Sequence, residues 1–253
     1  MAADAVTALP PGVKPTVVSP LGVVPKRRTD KFRLIVNMRY VNKHLGDKAF
    51  KFEGLKDLAD LAERGDYAVS YDLMSGYYHV GLFQASRTFV GFKWEGKYYV
   101  YNCLPFGLST APWVFSKVMR ELVMHWRRGG IRVLPYLDVF MFMERGFWQC
   151  VRLARRVERD FFLIGLKINV PKCHSIPAQQ RRQLGFDVDF VGRVEGPRGS
   201  VGRTYGVGGA GLIRTQGKSG GPRLGEHHRD GALHASFMGA CDPVMHEAFV
   251  CFD

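Results

Sequence analysis

Two aspartates stand where a chain could build a metal-dependent active site. Asp72 lies near the end of the apolar segment 67–73, just before the turn-forming pair Ser75–Gly76, and Asp138 separates two further apolar segments. Carboxylates at the ends of neighbouring strands can converge on Mg²⁺, which prefers oxygen ligands. Two such ions would activate an attacking 3′-hydroxyl and stabilise a leaving pyrophosphate. Taken singly, each aspartate is more often a turn or capping residue, so both interpretations stay open.

The surrounding sequence predicts short strands that alternate with helices. Segments 110–129 and 147–162 repeat apolar residues every three or four positions, which is typical of amphipathic helices. Thr110 and Pro112 suit the start of the first helix, and Gly129–Gly130 suits its end. Shorter apolar segments predict a small helix at 55–64 and strands at 20–25, 32–37, 67–73, 89–94, 98–102, 131–137 and 140–143. This alternation predicts an α/β or α+β domain with a mostly antiparallel sheet.

The composition favours a folded, basic protein in a reducing compartment. Of its 253 residues, 46% are apolar, and the formal charge of +13 suggests an anionic partner, with nucleic acid as the first candidate. Five cysteines without metal-ligand spacing argue for free thiols. Neither a signal peptide nor a run of about 18 apolar residues is visible. We therefore expect an intracellular protein, cytoplasmic or nuclear, with no membrane partner.

The composition changes near residue 190. Of the 36 Lys and Arg residues, 29 precede residue 191, whereas 14 of the 29 glycines follow residue 190. Segment 192–221 has the Gly/Arg-rich composition of a coil. We therefore expect three parts: an N-terminal extension at 1–14, a folded domain at 15–190, and a Gly-rich disordered tail at 191–253.

Six motifs, in this order, resemble those of retrotransposon-type reverse transcriptases, in the branch with long terminal repeats or its relatives. They are FRLIVNMRYVNK at 32–43, DLMSGYY at 72–78, LPFGLSTAPWVF at 104–115, YLDV at 136–139, GLKINVPKC at 165–173 and LGF at 184–186. The resemblance covers residues 15–190. It implies the α+β fold of a right-hand polymerase, with fingers and palm and a mostly antiparallel palm sheet flanked by helices.

The resemblance also implies roles for palm residues. Asp72 matches the first metal-binding aspartate of the family and Asp138 the second, so together they would hold Mg²⁺ at a two-metal site. Tyr77 matches the aromatic residue that blocks a ribose 2′-hydroxyl, because a ring beneath the sugar leaves no room for that oxygen. Lys172 matches a lysine thought to protonate the leaving pyrophosphate. A packed core tyrosine and an ordinary surface lysine are the simpler alternatives for the last two.

Nucleotide-binding residues are implied in the same way. Lys26 and Arg33 match finger residues that hold the triphosphate of the incoming nucleotide through charge-assisted hydrogen bonds, although a solvated basic hairpin would look similar. Phe106 and Gly107 match the loop beside the nucleotide and template, where a glycine lets the backbone come close. The implied partners are an RNA or DNA template with its primer and deoxynucleoside triphosphates.

The sequence departs from the family pattern in two places. The family turn carries two adjacent aspartates, but here the second is Val139, which supplies no oxygen ligand and would be strained if the turn needed a positive φ there. Residues 191–253 lack the helical periodicity of a thumb and the four carboxylates of a ribonuclease H. We expect catalysis slowed by orders of magnitude and a poor grip on the duplex.

Three functions therefore stay open. The chain could be a reverse transcriptase domain that adds deoxynucleotides to a primer 3′-end with impaired activity. It could instead be a catalytically inactive, nucleic-acid-binding remnant of a transposable element, or a structural fossil without function.

Overall fold

The structure, a computed structural model, describes residues 5–25, 32–46, 48, 50–183, 186–191, 204–207 and 211–214. Its helices are Arg39–Asn42 (α1), Leu55–Leu61 (α2), Ala111–Arg128 (α3) and Phe147–Leu163 (α4). The strands are Val6–Ala8 (β1), Val18–Ser19 (β2), Leu21–Pro25 (β3), Phe32–Val36 (β4), Asp66–Asp72 (β5), Gly91–Trp94 (β6), Lys97–Tyr101 (β7), Arg132–Tyr136 (β8), Val139–Arg145 (β9), His174–Ala178 (β10), Gln180–Gln183 (β11), Phe186–Asp189 (β12), Thr204–Val207 (β13) and Gly211–Arg214 (β14). In those ranges, no helix is long and apolar enough to cross a membrane.

The first part of the chain builds a hairpin and a small sheet. Strands β3 and β4 pair antiparallel, which confirms the hairpin predicted at 20–25 and 32–37. Strands β1, β7, β6 and β2 form a second sheet in that order, with only β2 and β6 parallel among its pairs. Because β1 pairs with β7, part of the segment 1–14 that was expected as an extension is built into this sheet.

The central sheet has the order β10-β5-β9-β8, and every pair in it is antiparallel. Strands β8 and β9 form the predicted hairpin, and Val139 is opposite both Tyr136 on β8 and Asp72 on β5. Successive side chains of a strand point to opposite faces, so this register decides which residues meet on each face. The mixture of helices with mostly antiparallel sheets confirms the α+β prediction.

One face of the central sheet is covered by α3 and α4. An aromatic cluster fills the space between them: Tyr71, Phe115, Trp126, Phe140, Phe142 and Phe161, each at most 1% exposed. Ring centroids within it lie 4.9 Å apart for Trp126 and Phe142 and 5.3 Å apart for Trp126 and Phe161. This face is therefore the main core, and it fixes the strands that carry Asp72 and Asp138.

Both long helices end in the same way. Gly130 and Gly165 follow α3 and α4 with positive φ, which glycine adopts without steric cost. In each case the next residue donates its N–H to a carbonyl five residues back, Ile131 to Trp126 and Leu166 to Phe161. These bonds form a Schellman motif, which satisfies the last free carbonyls of a helix. The predicted end of α3 at Gly129–Gly130 is confirmed.

The opposite face of the central sheet is covered only in part. Helix α2 and the end of β12 pack there on Ala68, Met141 and Met143. Strand β12 belongs to a third sheet, β11-β12-β14-β13. The coil predicted at 192–221 is thus wrong at 204–207 and 211–214, where β-branched and aromatic residues outweigh the glycines. The rest of the tail predicted to be disordered lies outside the described residues, apart from residue 191.

Candidate active site

Asp72 and Asp138 meet at one end of the central sheet. Asp72 is the last residue of β5, and Asp138 is the second residue of the turn that joins β8 to β9. The backbone N–H of Leu73 donates to the carbonyl of Asp138 at 2.8 Å, which locks the turn to the end of β5. Asp72 at the end of β5 and Asp138 in the adjoining turn therefore lie next to each other at this end of the sheet.

Leu137 is the strained residue of this turn, because its φ is +54° and it is not a glycine. A positive φ at the first central residue alone is the pattern of a type II′ hairpin turn, which matches the twist of the strands. Val139 begins β9 with ordinary strand geometry, so the concern that its branched side chain would be strained here is wrong. Val139 is directly opposite Asp72, and residues opposite each other in a sheet share a face.

Burial acts on the Asp138 carboxyl. It raises the pKa of Asp138 above its usual range, and the nearby charge of Asp72 raises it further. The two carboxylates are therefore close enough to repel each other. Gly76 makes room for this approach, because a methyl group at that position would stand 2.8 Å from Cβ of Asp138. A cation between the two acids would relieve the repulsion.

Asp72 is held by the segment that follows α4. Asn169 donates from its side-chain amide to Oδ1 of Asp72 at 3.1 Å, and the backbone N–H of Asn169 donates to the Asp72 carbonyl at 2.7 Å. Lys172 Nζ lies 3.3 Å from Oδ2 of Asp72, with 61% of the lysine side chain exposed. The Cys173 thiol also contacts the Asp72 backbone, since the Asp72 N–H points at Sγ at 3.4 Å.

His79 ties the turn after β5 to the same segment. Its Nδ1 lies 3.1 Å from the carbonyl of Gly76, and its Nε2 accepts the backbone N–H of Lys167 at 3.0 Å. Both bonds are satisfied only when Nδ1 carries the single proton of a neutral ring. Burial lowers the pKa of His79, and the charge of Lys167 lowers it further. The neutral ring therefore joins the turn after β5 to the segment after α4.

The tilted rings of Tyr77 and Phe106 pack against each other near Asp138. Their ring centroids lie 5.0 Å apart, and Tyr77 also contacts Phe115 at 5.5 Å. Tyr77 is half-buried, and burial followed by the charge of Asp138 raises its pKa. Phe106 is 49% exposed, so its ring forms part of an open wall. Tyr77 thus has one side in the core and the other near the acids.

Gly107 lies between Phe106 and the end of the β3–β4 hairpin. Its φ is +98°, and a methyl group there would lie 3.1 Å from the carbonyl of Val36, at the end of β4. Its carbonyl accepts a hydrogen bond at 2.9 Å from Asn42, which also accepts the N–H of Ser109 at 2.8 Å. Arg33 belongs to β4 and is opposite Val24, whereas Lys26 lies outside the described residues.

A groove of about 430 Å³ opens beside the β8–β9 turn. It runs between α3, the segment 50–53, Pro135 of β8 and the turn residue Leu137. Its basic and aromatic lining residues are Phe50, Lys51, Phe52, Trp113, Lys117, Arg120 and Arg127. Arg127 forms a bidentate ion pair with Glu53, at 2.6 and 2.9 Å, which fastens the groove wall to α3. The groove is thus rich in basic residues and lies beside the β8–β9 turn, which carries Asp138.

Sequence reasoning missed the residues that hold this site together. Asn169 lies inside the motif GLKINVPKC, yet its bond to Asp72 depends on a contact between residues 97 positions apart. Gly76 lies inside the motif DLMSGYY but was interpreted only as a turn residue, and His79 follows that motif without a signal of its own. Across the described part of the chain, no cluster of three or more His, Cys, Asp or Glu side chains could hold a metal. The acids that do approach are the pair Asp72 and Asp138.

The fold is that of a polymerase with fingers and palm. A foamy viral protease–reverse transcriptase in complex with double-stranded DNA matches 75% of this chain, with a TM-score of 0.65 and 22% sequence identity. The same enzyme in complex with an RNA/DNA hybrid matches 71% of the chain, with a TM-score of 0.62. The matched region is 32% and 24% of the length of those two chains.

The chain belongs to the reverse transcriptase (RNA-dependent DNA polymerase) family, whose model matches residues 24–188. Within that family it is of the retrotransposon type. It is 35% identical over 106 residues to the retrovirus-related Pol polyprotein from transposon 412 of Drosophila melanogaster, covering 40% of the chain. It is 30% identical over 171 residues, 68% of the chain, to the genome polyprotein of Petunia vein clearing virus. The matched segments are 9% and 8% of the length of these relatives.

Proposed function

We propose that the domain adds deoxynucleotides to a primer 3′-end under the direction of an RNA or DNA template, at a rate lowered by Val139. The observation that carries this proposal is the approach of Asp72 and Asp138 at one end of the central sheet. Family membership supplies the reaction class, and a pair of neighbouring, half-buried carboxylates is a feature that this chemistry needs.

The donor set fits Mg²⁺ in part. Asp72 and Asp138 offer carboxylate oxygens, and their mutual repulsion favours a cation between them. Val139 stands across from Asp72 and offers no oxygen, so the second of two ions would lack part of its ligand set. Bound Mg²⁺ supplies a Lewis acid that lowers the pKa of the primer hydroxyl and neutralises charge on the phosphates.

Side chains around the acids suit the substrate roles that the family implies. Tyr77, braced by Phe106 and Phe115, would stand beneath the sugar and exclude a 2′-hydroxyl. Lys172 is exposed and bonded only at long distance to Asp72, so its ammonium is free to turn and protonate a leaving pyrophosphate. Lys26 and Arg33 would hold the triphosphate, with Phe106 and Gly107 packing beside the nucleotide.

The groove beside the turn suits the template. Lys51, Lys117 and Arg120 supply positive charge along it. Trp113 offers an aromatic face that the ammonium groups of Lys48 and Lys117 approach. Basic side chains that alternate with aromatic rings are typical of surfaces that bind single-stranded nucleic acid. The solved foamy viral relatives hold duplexes, which agrees with a nucleic-acid partner for this domain.

The alternative is an inactive remnant that binds nucleic acid without chemistry. Val139 favours it, because the carboxylate implied by the family is absent at the position opposite Asp72. The basic groove would persist in such a remnant. The two functions differ in whether the chain extends a primer at all.

Replacing Val139 by Asp separates them. The new carboxylate would share a face with Asp72 and repel it. In EDTA we therefore expect the free energy of unfolding of V139D to be lower than that of the parent, by up to about 1 kcal/mol. We expect added Mg²⁺ to restore that stability, because an ion that binds only the folded state stabilises it. Primer extension on an RNA template should rise at least about a hundredfold, which corresponds to about 2.7 kcal/mol.

Val139→Asn is the matched control, since it has the size of Asp without the charge. It should gain neither the Mg²⁺-dependent stabilisation nor the extension rate. If the parent extends primers as fast as V139D, the claim that Val139 limits catalysis is wrong. If V139D binds primer–template and Mg²⁺ but neither protein extends, the remnant is the correct description.

A further inference from the structure

The outward face of α4 carries a stripe of arginines between two aromatic residues. Trp148, Arg152, Arg155, Arg159 and Phe162 are spaced by four, three, four and three positions, which places them on one side of a helix. All five are exposed, with Trp148 at 68% and Phe162 at 82%. The stripe extends about 21 Å along the helix axis, at a rise of about 1.5 Å per residue.

The acids of α4 leave this charge uncompensated. Glu158 accepts the hydroxyl of Tyr71 at 2.8 Å, and Asp160 accepts the indole N–H of Trp126 at 3.0 Å, so both are engaged toward the core. Among the described residues, the single ion pair that reaches the stripe joins Arg159 to Asp160 at 3.9 Å. The buried side of the helix is fixed by the aromatic core, which holds the arginines on a rigid frame.

The stripe lies on the far side of the central sheet from the carboxylates. Tyr71 points into the core beneath α4, whereas its neighbour Asp72 points to the opposite face, because side chains of a strand alternate. The stripe and Asp72 therefore face opposite sides of the central sheet. This surface is separate from the candidate active site, and the inference drawn from it does not rest on the proposed function.

The chemistry of the stripe favours single-stranded nucleic acid. Its cations are all arginine, whose planar fork binds phosphate through two parallel hydrogen bonds. The exposed rings at either end provide faces on which bases stack, a combination that an acidic peptide would not use. We propose that the outer face of α4 is a second nucleic-acid surface, which holds single-stranded RNA by its phosphates and stacks bases on Trp148 and Phe162.

The test uses the full chain and a fluorescent single-stranded RNA, with affinity measured by anisotropy over a range of salt concentrations. Three arginine-to-glutamine changes, R152Q/R155Q/R159Q, remove the charge of the stripe. Each phosphate contact to a single strand contributes about 0.7 to the slope of log affinity against log salt, so the slope should fall by about two. Affinity should fall at least about tenfold at low salt.

The triple variant K14Q/K93Q/K97Q is the matched control. Its three lysines are exposed. Lys93 and Lys97 lie on β6 and β7, and Lys14 lies in the loop between β1 and β2. Their removal lowers the net charge by the same amount. We expect its RNA affinity to stay within about twofold of the parent. A third variant, R152K/R155K/R159K, keeps the charge and should retain most of the slope.

Equal losses for the arginine variant and the lysine control would overturn the proposal, because the effect would then follow net charge rather than the stripe. Unchanged RNA affinity in R152Q/R155Q/R159Q would overturn it as well, even if that variant lost binding to poly-glutamate or to anionic vesicles. All three changes lie on the exposed face, so circular dichroism and thermal melting of the variants should match the parent.

Discussion

Strand β5 carries two aspartates on the same face, Asp66 at its start and Asp72 at its end. The two differ in burial and in the residues that hold them. Asp66 is fully buried and is held by the Arg132 guanidinium at 2.5 and 2.7 Å. It also accepts the backbone N–H of Glu63 at 2.7 Å. Asp72 retains 16% exposure, and its charged neighbour is a mobile lysine at 3.3 Å.

The difference shows how a structural acid can be distinguished from an acid available to a ligand. Rigid, short donors satisfy every oxygen of Asp66, so a cation has nothing to gain there. Asp72 accepts one ordinary hydrogen bond from Asn169 at 3.1 Å, and its longer contact is to the exposed Lys172, which can move away at little cost. A carboxylate near the surface that is held loosely, beside a second acid, is the one that can bind metal.

The largest effect is expected from Asp66→Asn. The amide keeps one acceptor oxygen but loses the charge, so the partly buried Arg132 guanidinium would retain only the more distant Glu63 as a counter-charge, at 3.8 Å. We expect a loss of about 3 kcal/mol in the free energy of unfolding, measured with urea at neutral pH in EDTA. The double variant D66N/R132Q should recover part of that loss. A loss below about 1 kcal/mol would mean that the two ends of β5 are not as different as the contacts indicate.

A smaller, pH-dependent effect is expected from His79→Leu at the open end. Leucine fills the space but leaves the Gly76 carbonyl and the Lys167 N–H without partners, at a cost of about 1 kcal/mol at pH 8. Folding lowers the pKa of His79, so its stabilisation is present above the unfolded value of about 6.5 and is lost as pH falls. The difference in the free energy of unfolding between parent and variant, measured by urea unfolding at each pH, should therefore decrease toward pH 5. A difference that stays constant with pH would contradict a neutral His79 ring in the folded state.

The smallest effect on stability is expected from Asp72→Asn. Its exposed ion pair with Lys172 contributes at most about 1 kcal/mol, and removal of one acid relieves the repulsion with Asp138. Unfolding in EDTA should therefore match the parent to within about 0.5 kcal/mol, and any stabilisation by Mg²⁺ should disappear. If D72N destabilised the fold as strongly as Asp66→Asn, Asp72 would have to be regarded as a structural acid.

The sequence predicted the helices and strands around the site more fully than the long-range contacts between them. Apolar periodicity predicted α3, α4 and the β8–β9 hairpin, whereas Asp138 lies beside Asp72 because β9 pairs with the distant strand β5. The pairing of Asp66 with Arg132 joins residues 66 positions apart, so no local pattern separates Asp66 from Asp72. The location of the positive φ at Leu137 rather than Val139 depends on turn geometry that valine and leucine do not reveal. Strands β13 and β14 were missed because glycines mask their short apolar segments.

The strain of the β8–β9 turn rests on Leu137 rather than on Val139. Val139 occupies an ordinary strand position, so the backbone accepts aspartate there without rearrangement of the turn. The backbone that would present a further carboxylate opposite Asp72 is therefore already formed, and a single residue change at position 139 would supply that carboxylate.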